Sequence, residues 1–173
     1  MKNLFHKIET LFFKKGTEKR TKAKASKEHS LERFVEIQEL MFERALSEVK
    51  SGKKTTHWIW FIFPQLKGLG TSLKANYFGI DNIEEASAYI QHSVLANNLR
   101  TITAALLELE GYRANDIFSE LDSMKVRSSM TLFDVVSPND VFAKVLDKYY
   151  NSSHCEQTLK MLQTPTDVHM KRL

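Results

Sequence analysis

The sequence holds a single cysteine, Cys155, among its 173 residues. One thiol cannot close an intramolecular disulfide, and zinc sites built on paired cysteines are excluded with it. The six histidines are scattered and no His or carboxylate pair falls at a familiar ligand spacing, so no metal and no other cofactor is expected. No run approaches the roughly 20 consecutive apolar residues needed to cross a bilayer. The short apolar stretch at the start is interrupted by Lys7 and Glu9 and precedes no small-residue cleavage site, which argues against a secretory signal. These absences point to a soluble, cytoplasmic protein in a reducing compartment. Catalytic organisers are missing too. No nucleophile elbow arranges the Ser, His and Asp residues, and Gly68 and Gly70 lack the lysine and hydroxyl pattern of a phosphate-binding loop.

What is present is the composition of a globular chain, 42% hydrophobic and 27% charged. A domain of about 140 residues can bury roughly two-thirds of its unfolded surface without a disulfide or metal staple. The sequence pI near 9.1 invites a nucleic-acid reading, but the charge is localised. Residues 1–29 carry nine Lys or Arg against three Glu, a net +6 within a chain total of +4, so the remainder carries −2. The basicity belongs to the N-terminal segment, and so does any affinity for nucleic acid or an anionic membrane surface.

That segment has two parts. Leu4, Phe5, Ile8, Leu11 and Phe12 recur at helical spacing beside Lys2, Lys7, Lys14 and Lys15, a short basic amphipathic helix that would lie on a membrane surface, dock on a partner or pack on its own domain. Gly16 to His29 has no apolar period and reads as a solvated linker. The chain thus divides into a basic segment and linker over 1–29, an all-helical domain over 30–163 and a C-terminal tail over 164–173.

Within the domain, Ser30 is a good N-cap for a helix over Leu31 to Lys50 with Phe34, Met41, Phe42, Ala45 and Val49 as its stripe and Gly52 as its stop. Gln38 falls in that stripe, either as a buried strut or facing a polar pocket. Asp81 and Glu84 form a capping box for a helix to about Gln91, Ser93 caps a longer one that stops at Gly111, a turn surrounds Ile117 and Phe118, and Ser137-Pro138 opens the helix containing Phe142 and Leu146. A last amphipathic turn runs through Leu159 and Leu162 and ends at Pro165.

Two runs are chemically dense. The first, Thr56 to Ser72, contains both tryptophans, Trp58 and Trp60, with His57 and Gln65. Aromatic and β-branched enrichment over 58–63 suits a buried strand, but the chain offers it no second strand to satisfy its backbone, so a short buried aromatic helix capped by Thr55 or Thr56 and ended near Pro64 is expected. Ser72 caps a further short helix through Phe78. The second run, Asp122 to Phe133, places two cations and three hydroxyls within Lys125 to Thr131. Such a group suits a phosphate or carboxylate, and equally a solvated helix face with its hydroxyls bonded back to the backbone.

Together, His57-Trp58-Ile59-Trp60-Phe61-Ile62-Phe63-Pro64-Gln65-Leu66-Lys67-Gly68-Leu69-Gly70-Thr71-Ser72 and Lys125-Val126-Arg127-Ser128-Ser129-Met130-Thr131-Leu132-Phe133 resemble the domain-of-unknown-function family 1810, over about residues 31–163. The resemblance implies an all-helical fold and no established activity. The calpastatin label that automatic annotation attaches to some members finds no support in these residues. The sequence departs from the family pattern at Ser93, at Ser119 and over Asn151 to Glu156.

A pattern that specifies polar groups at fixed positions demands hydrogen-bonding geometry, which either a ligand site or a buried polar network supplies. The expected site is lined by His57, Trp58, Trp60, Gln65, Lys125, Arg127, Ser128 and Ser129 and takes a small, anionic, planar, nucleotide-like ligand. In it Trp58 and Trp60 stack, Lys125 and Arg127 hold charge and His57 serves as general acid or base if a reaction occurs. The competing class is a non-enzymatic interaction module that binds a protein partner through the helical domain.

Overall fold

Phe34, Ile37, Gln38, Met41, Phe42, Ala45, Glu48 and Val49 lie on one side of a 3.6-residue period, and in the computed structural model they are the buried face of helix α1 (Glu32–Lys50). The structure describes residues 31–163. The expectations for the basic segment, for Ser30 as a cap, for Pro165 and for the tail all fall outside the described residues. At the end of α1, Gly52 adopts φ +72°, and a Cβ there would sit 2.5 Å from the Tyr112 ring, so a left-handed turn and a close aromatic contact both require glycine.

Eight more helices follow among the described residues: α2 (Ile59–Ile62), α3 (Leu73–Tyr77), α4 (Ile83–Gln91), α5 (Ser93–Glu108), α6 (Ala114–Ile117), α7 (Glu120–Val136), α8 (Val141–Tyr150) and α9 (Glu156–Gln163). The described residues contain no strand. One isolated parallel bridge joins Leu66 and Ile80, with Lys67 N–H donating to the Ile80 carbonyl and Ile80 N–H to that of Gln65, each at 2.9 Å. None of these helices is long and apolar enough to cross a membrane.

The 58–63 run is the single helical turn that the lack of a partner strand demands. Trp58, Ile59, Phe61, Ile62 and Phe63 are all buried, so no polar face marks its period. Its cap differs from expectation: Trp58 occupies the N-cap position with no side-chain capping bond, and Thr56 spends its hydroxyl on Glu48. Other caps shift along the chain. Asn82, not Asp81, accepts from the Glu85 N–H, and Glu85 Oε2 accepts in return from the Asp81 N–H at 2.6 Å. His92 Nδ1, not Ser93, caps α5, and Asp140, not Ser137, begins α8. Ser72 caps α3 as its sequence suggests, accepting from the Ala75 N–H at 3.1 Å.

Helix α7 is the hub, packing on α2, α4, α6, α8 and α9, while α1 packs on α2 and α5. A line of rings crosses the core from α1 through α4 and α7 to α8: Phe34 to Tyr89 at 5.1 Å, Tyr89 to Phe133 at 5.2 Å and Phe133 to Phe142 at 5.7 Å. Gln38 is the strut. Its Nε2 donates to the Phe61 carbonyl at 2.6 Å and to the Tyr89 hydroxyl at 2.9 Å, while its Oε1 accepts from Asn98 at 3.0 Å. One buried amide therefore ties α1 to α2, α4 and α5 with its donors and acceptor satisfied.

Candidate functional site

The first dense run is organised by a residue that stands outside it. Glu48, near the end of α1, accepts from the N–H groups of Thr55 and Thr56 at 2.7 and 2.9 Å, from the Thr56 hydroxyl at 2.7 Å and from the Trp58 indole at 2.8 Å. Burial alone would raise its pKa. The bonds from Thr56, Thr55 and Trp58 outweigh that penalty and hold the carboxyl well below the usual carboxylate range. Trp58 is fully buried, with Phe63 and Phe118 at 6.2 and 6.3 Å between centroids and the Lys54 ammonium 5.2 Å from its own, which leaves it no ring face for a ligand. His57, beside it, is exposed.

Trp60 differs in its exposure. It is half-buried, and the ammonium groups of Lys74 and Lys125 lie 5.0 and 4.9 Å from its ring centroid. Lys125 also pairs with Asp122 at 2.9 Å, and Asp122 in turn pairs with Lys54 at 2.7 Å. Burial raises the Asp122 pKa, and the bonds from Lys54 and Lys125 more than reverse this, keeping the carboxylate ionised. Lys74 and Lys125 thus share the Trp60 indole, while Lys54 lies between Asp122 and the Trp58 ring, 5.2 Å from the ring centroid.

Most of the remaining polar groups of the second run fasten the C-terminal segment to α7. Arg127 donates to the Ser153 carbonyl at 2.9 Å and to the Ser153 hydroxyl and the His154 carbonyl at 2.6 Å each. Cys155 N–H donates to Thr131 Oγ1 at 2.9 Å, Ser128 and Thr158 hydroxyls meet at 2.8 Å, and His154 Nε2 lies 2.9 Å from Asp134. Thr131 bonds back to the Arg127 carbonyl at 2.8 Å, and Ser129 is fully buried. The guanidinium, placed in the sequence as a charge-holder for a ligand, is occupied by main-chain and hydroxyl oxygens.

Between the two runs lies a groove of about 370 Å³, walled by Gln65, Leu69 and Gly70 on one side, by Leu121, Met124, Lys125 and Ser128 of α7, and by Cys155 and Gln157 of the fastened segment. Of the expected site residues, Gln65, Lys125 and Ser128 line it and Trp60 adjoins it through Lys125. Trp58 and Ser129 are sealed in the core, Arg127 faces the 153–154 segment and His57 is not part of the lining. Sequence reasoning passed over Glu48, Asp122, Met124 and Cys155. Glu48 was readable as a carboxylate on the apolar stripe of α1, three residues after Ala45, and Met124 as the apolar neighbour of Lys125. No cluster of His, Cys, Asp or Glu able to hold a metal occurs among the described residues.

The fold and groove define an all-helical domain with a mixed apolar and cationic concavity on its hub helix. A model of the family described as protein of unknown function (DUF1810) matches residues 28–162, and the chain belongs to that family. The conserved hypothetical protein Rv1873 from Mycobacterium tuberculosis, known from a crystal structure, is 38% identical, superposes with a TM-score of 0.76 and is matched over 78% of this chain and 96% of its own. No curated protein matches the chain.

Proposed function

We propose that the groove between the 65–70 loop, α7 and the 155–157 segment binds a small molecule through an anionic group held at Lys125. The observation that carries this reading is the Lys125 ammonium in the groove's lining, with the Lys74 ammonium also against the adjoining Trp60 ring, at a cavity of ligand size. Gln65 and Gln157 supply amides that can read the edge of a planar body, so nucleotide-like molecules belong in the first screen. The lining carries no histidine or carboxylate to move a proton, which favours binding over acid–base catalysis and leaves His57 without a reacting partner.

The test is a thermal-shift screen of the full chain against nucleotides, sugar phosphates and small carboxylates, repeated with Lys125→Gln. A ligand of the native state raises the melting temperature by mass action. The expected hit is lost in Lys125→Gln, and a hit that survives it places the ligand elsewhere.

A second reading, a protein-binding module, is supported by Leu121 and Met124 at the groove, which are 70% and 63% exposed. Salt-sensitive binding to nucleic acid or anionic lipid through residues 1–29 is tested separately, by deleting them.

A further inference from the structure

We infer that the groove's ligand is a singly charged amphiphile, a carboxylate carried on an apolar body, and not a nucleotide or other polyphosphate; this rests on the groove reading above and narrows it. Two observations lead there. First, the groove's donor capacity for anions is small. A lysine ammonium has three N–H groups; that of Lys125 commits one to Asp122 and lies against the Trp60 ring. What remains suits one or two oxygens. Di- and triphosphates are ordinarily met by several backbone N–H groups or by forked guanidinium contacts. The only arginine in the second run, Arg127, is spent on Ser153 and His154, and no arginine lines the groove. Asp122, kept ionised by Lys54 and Lys125, stands within bonding distance of the same ammonium and disfavours a second negative charge.

Second, much of the groove's wall is apolar. Leu69, Leu121 and Met124 line the groove, and the last two are among the most exposed large apolar side chains of the described residues. A hydrocarbon or aryl body laid along them removes that surface from water, while Met124 adapts to its shape. The charged end at Lys125 and Leu121, one turn earlier on the same helix, set the ligand's direction.

Cys155, a half-buried thiol in the lining, reports on occupancy without joining the chemistry. The experiment measures its alkylation by iodoacetamide in the full chain with octanoate, octan-1-ol, AMP or ADP present. Octanoate is expected to slow the reaction at concentrations where ADP does not, and octan-1-ol to act roughly tenfold more weakly than octanoate, the worth of one charged hydrogen bond. Lys125→Gln should erase that preference. Met124→Glu, at an exposed position where folding is not at stake, should abolish octanoate protection by placing a carboxylate on the apolar wall. Protection by ADP or AMP at lower concentrations than octanoate, lost in Lys125→Gln, would overturn the ligand class and leave the groove standing. If no anion changes the alkylation rate, both the class and the groove reading fall.

Discussion

Trp58 and Trp60 are two residues apart and have opposite fates. Trp58 lies on the sealed side of α2, its ring packed among phenylalanines and its N–H on Glu48; Trp60 lies on the open side between two ammonium groups. One one-turn helix therefore carries a structural anchor and a surface aromatic on neighbouring faces. Residue types that look interchangeable in a motif are separated by which way the helix turns them.

The largest test of this division is Glu48→Ala. It strands the Thr55 and Thr56 N–H groups and the Trp58 indole N–H without an acceptor, and a cost of about 3 kcal/mol is expected from chemical denaturation. The sealed side also predicts a pH dependence. Because the folded-state pKa of Glu48 is depressed below its ordinary value of 4.5, its contribution is fully present above that pH and is lost as pH falls below it. The melting temperature of the wild type should fall more steeply between pH 5 and pH 3 than that of Glu48→Gln. Equal slopes would mean that the carboxylate contributes no linkage.

Arg127→Ala comes next, at about 2 kcal/mol, through loss of three bonds to residues 153–154. It should also quicken Cys155 alkylation, since Cys155 follows directly on the segment that Arg127 holds. Destabilisation without that acceleration would show that the segment is held by Ser128, Thr131 and the His154–Asp134 pair instead.

The legible parts of this molecule are those whose residues announce a period. Leu95, Leu99, Ile102 and Leu106 specify α5 by spacing, and Phe34 to Val49 specify α1. Two caps were legible only to within a residue, because Asp81 and Asn82, or His92 and Ser93, can each supply an acceptor and the winner is set by where the preceding chain arrives, and those of α2 and α8 lay two or three residues further on. The groove was the least legible part. Its walls come from residues 65–70, 121–128 and 155–157, and no local pattern states that these meet. Lys125 and Arg127 illustrate the limit. They are two residues apart with the same charge, yet one borders the groove and the other holds the next segment, a difference fixed by helix phase and by the loop after α8.

The finest test sets the two tryptophans against each other. Trp58→Phe removes a donor from a buried carboxylate and leaves space in a packed ring cluster, at about 2 kcal/mol, whereas Trp60→Phe keeps an aromatic ring on a half-buried face and should cost less than about 0.5 kcal/mol. The two variants then separate the fluorescence. In Trp58→Phe the remaining emitter is Trp60, beside Lys74 and Lys125, and iodide should quench it more strongly than caesium because the ammonium groups concentrate anions there. The preference should shrink with added salt, as screening requires. In Trp60→Phe the remaining emitter is Trp58, which neither ion should reach. Equal quenching of Trp60 by both ions would mean that Asp122 neutralises the cluster and would remove the electrostatic support for an anion at Lys125.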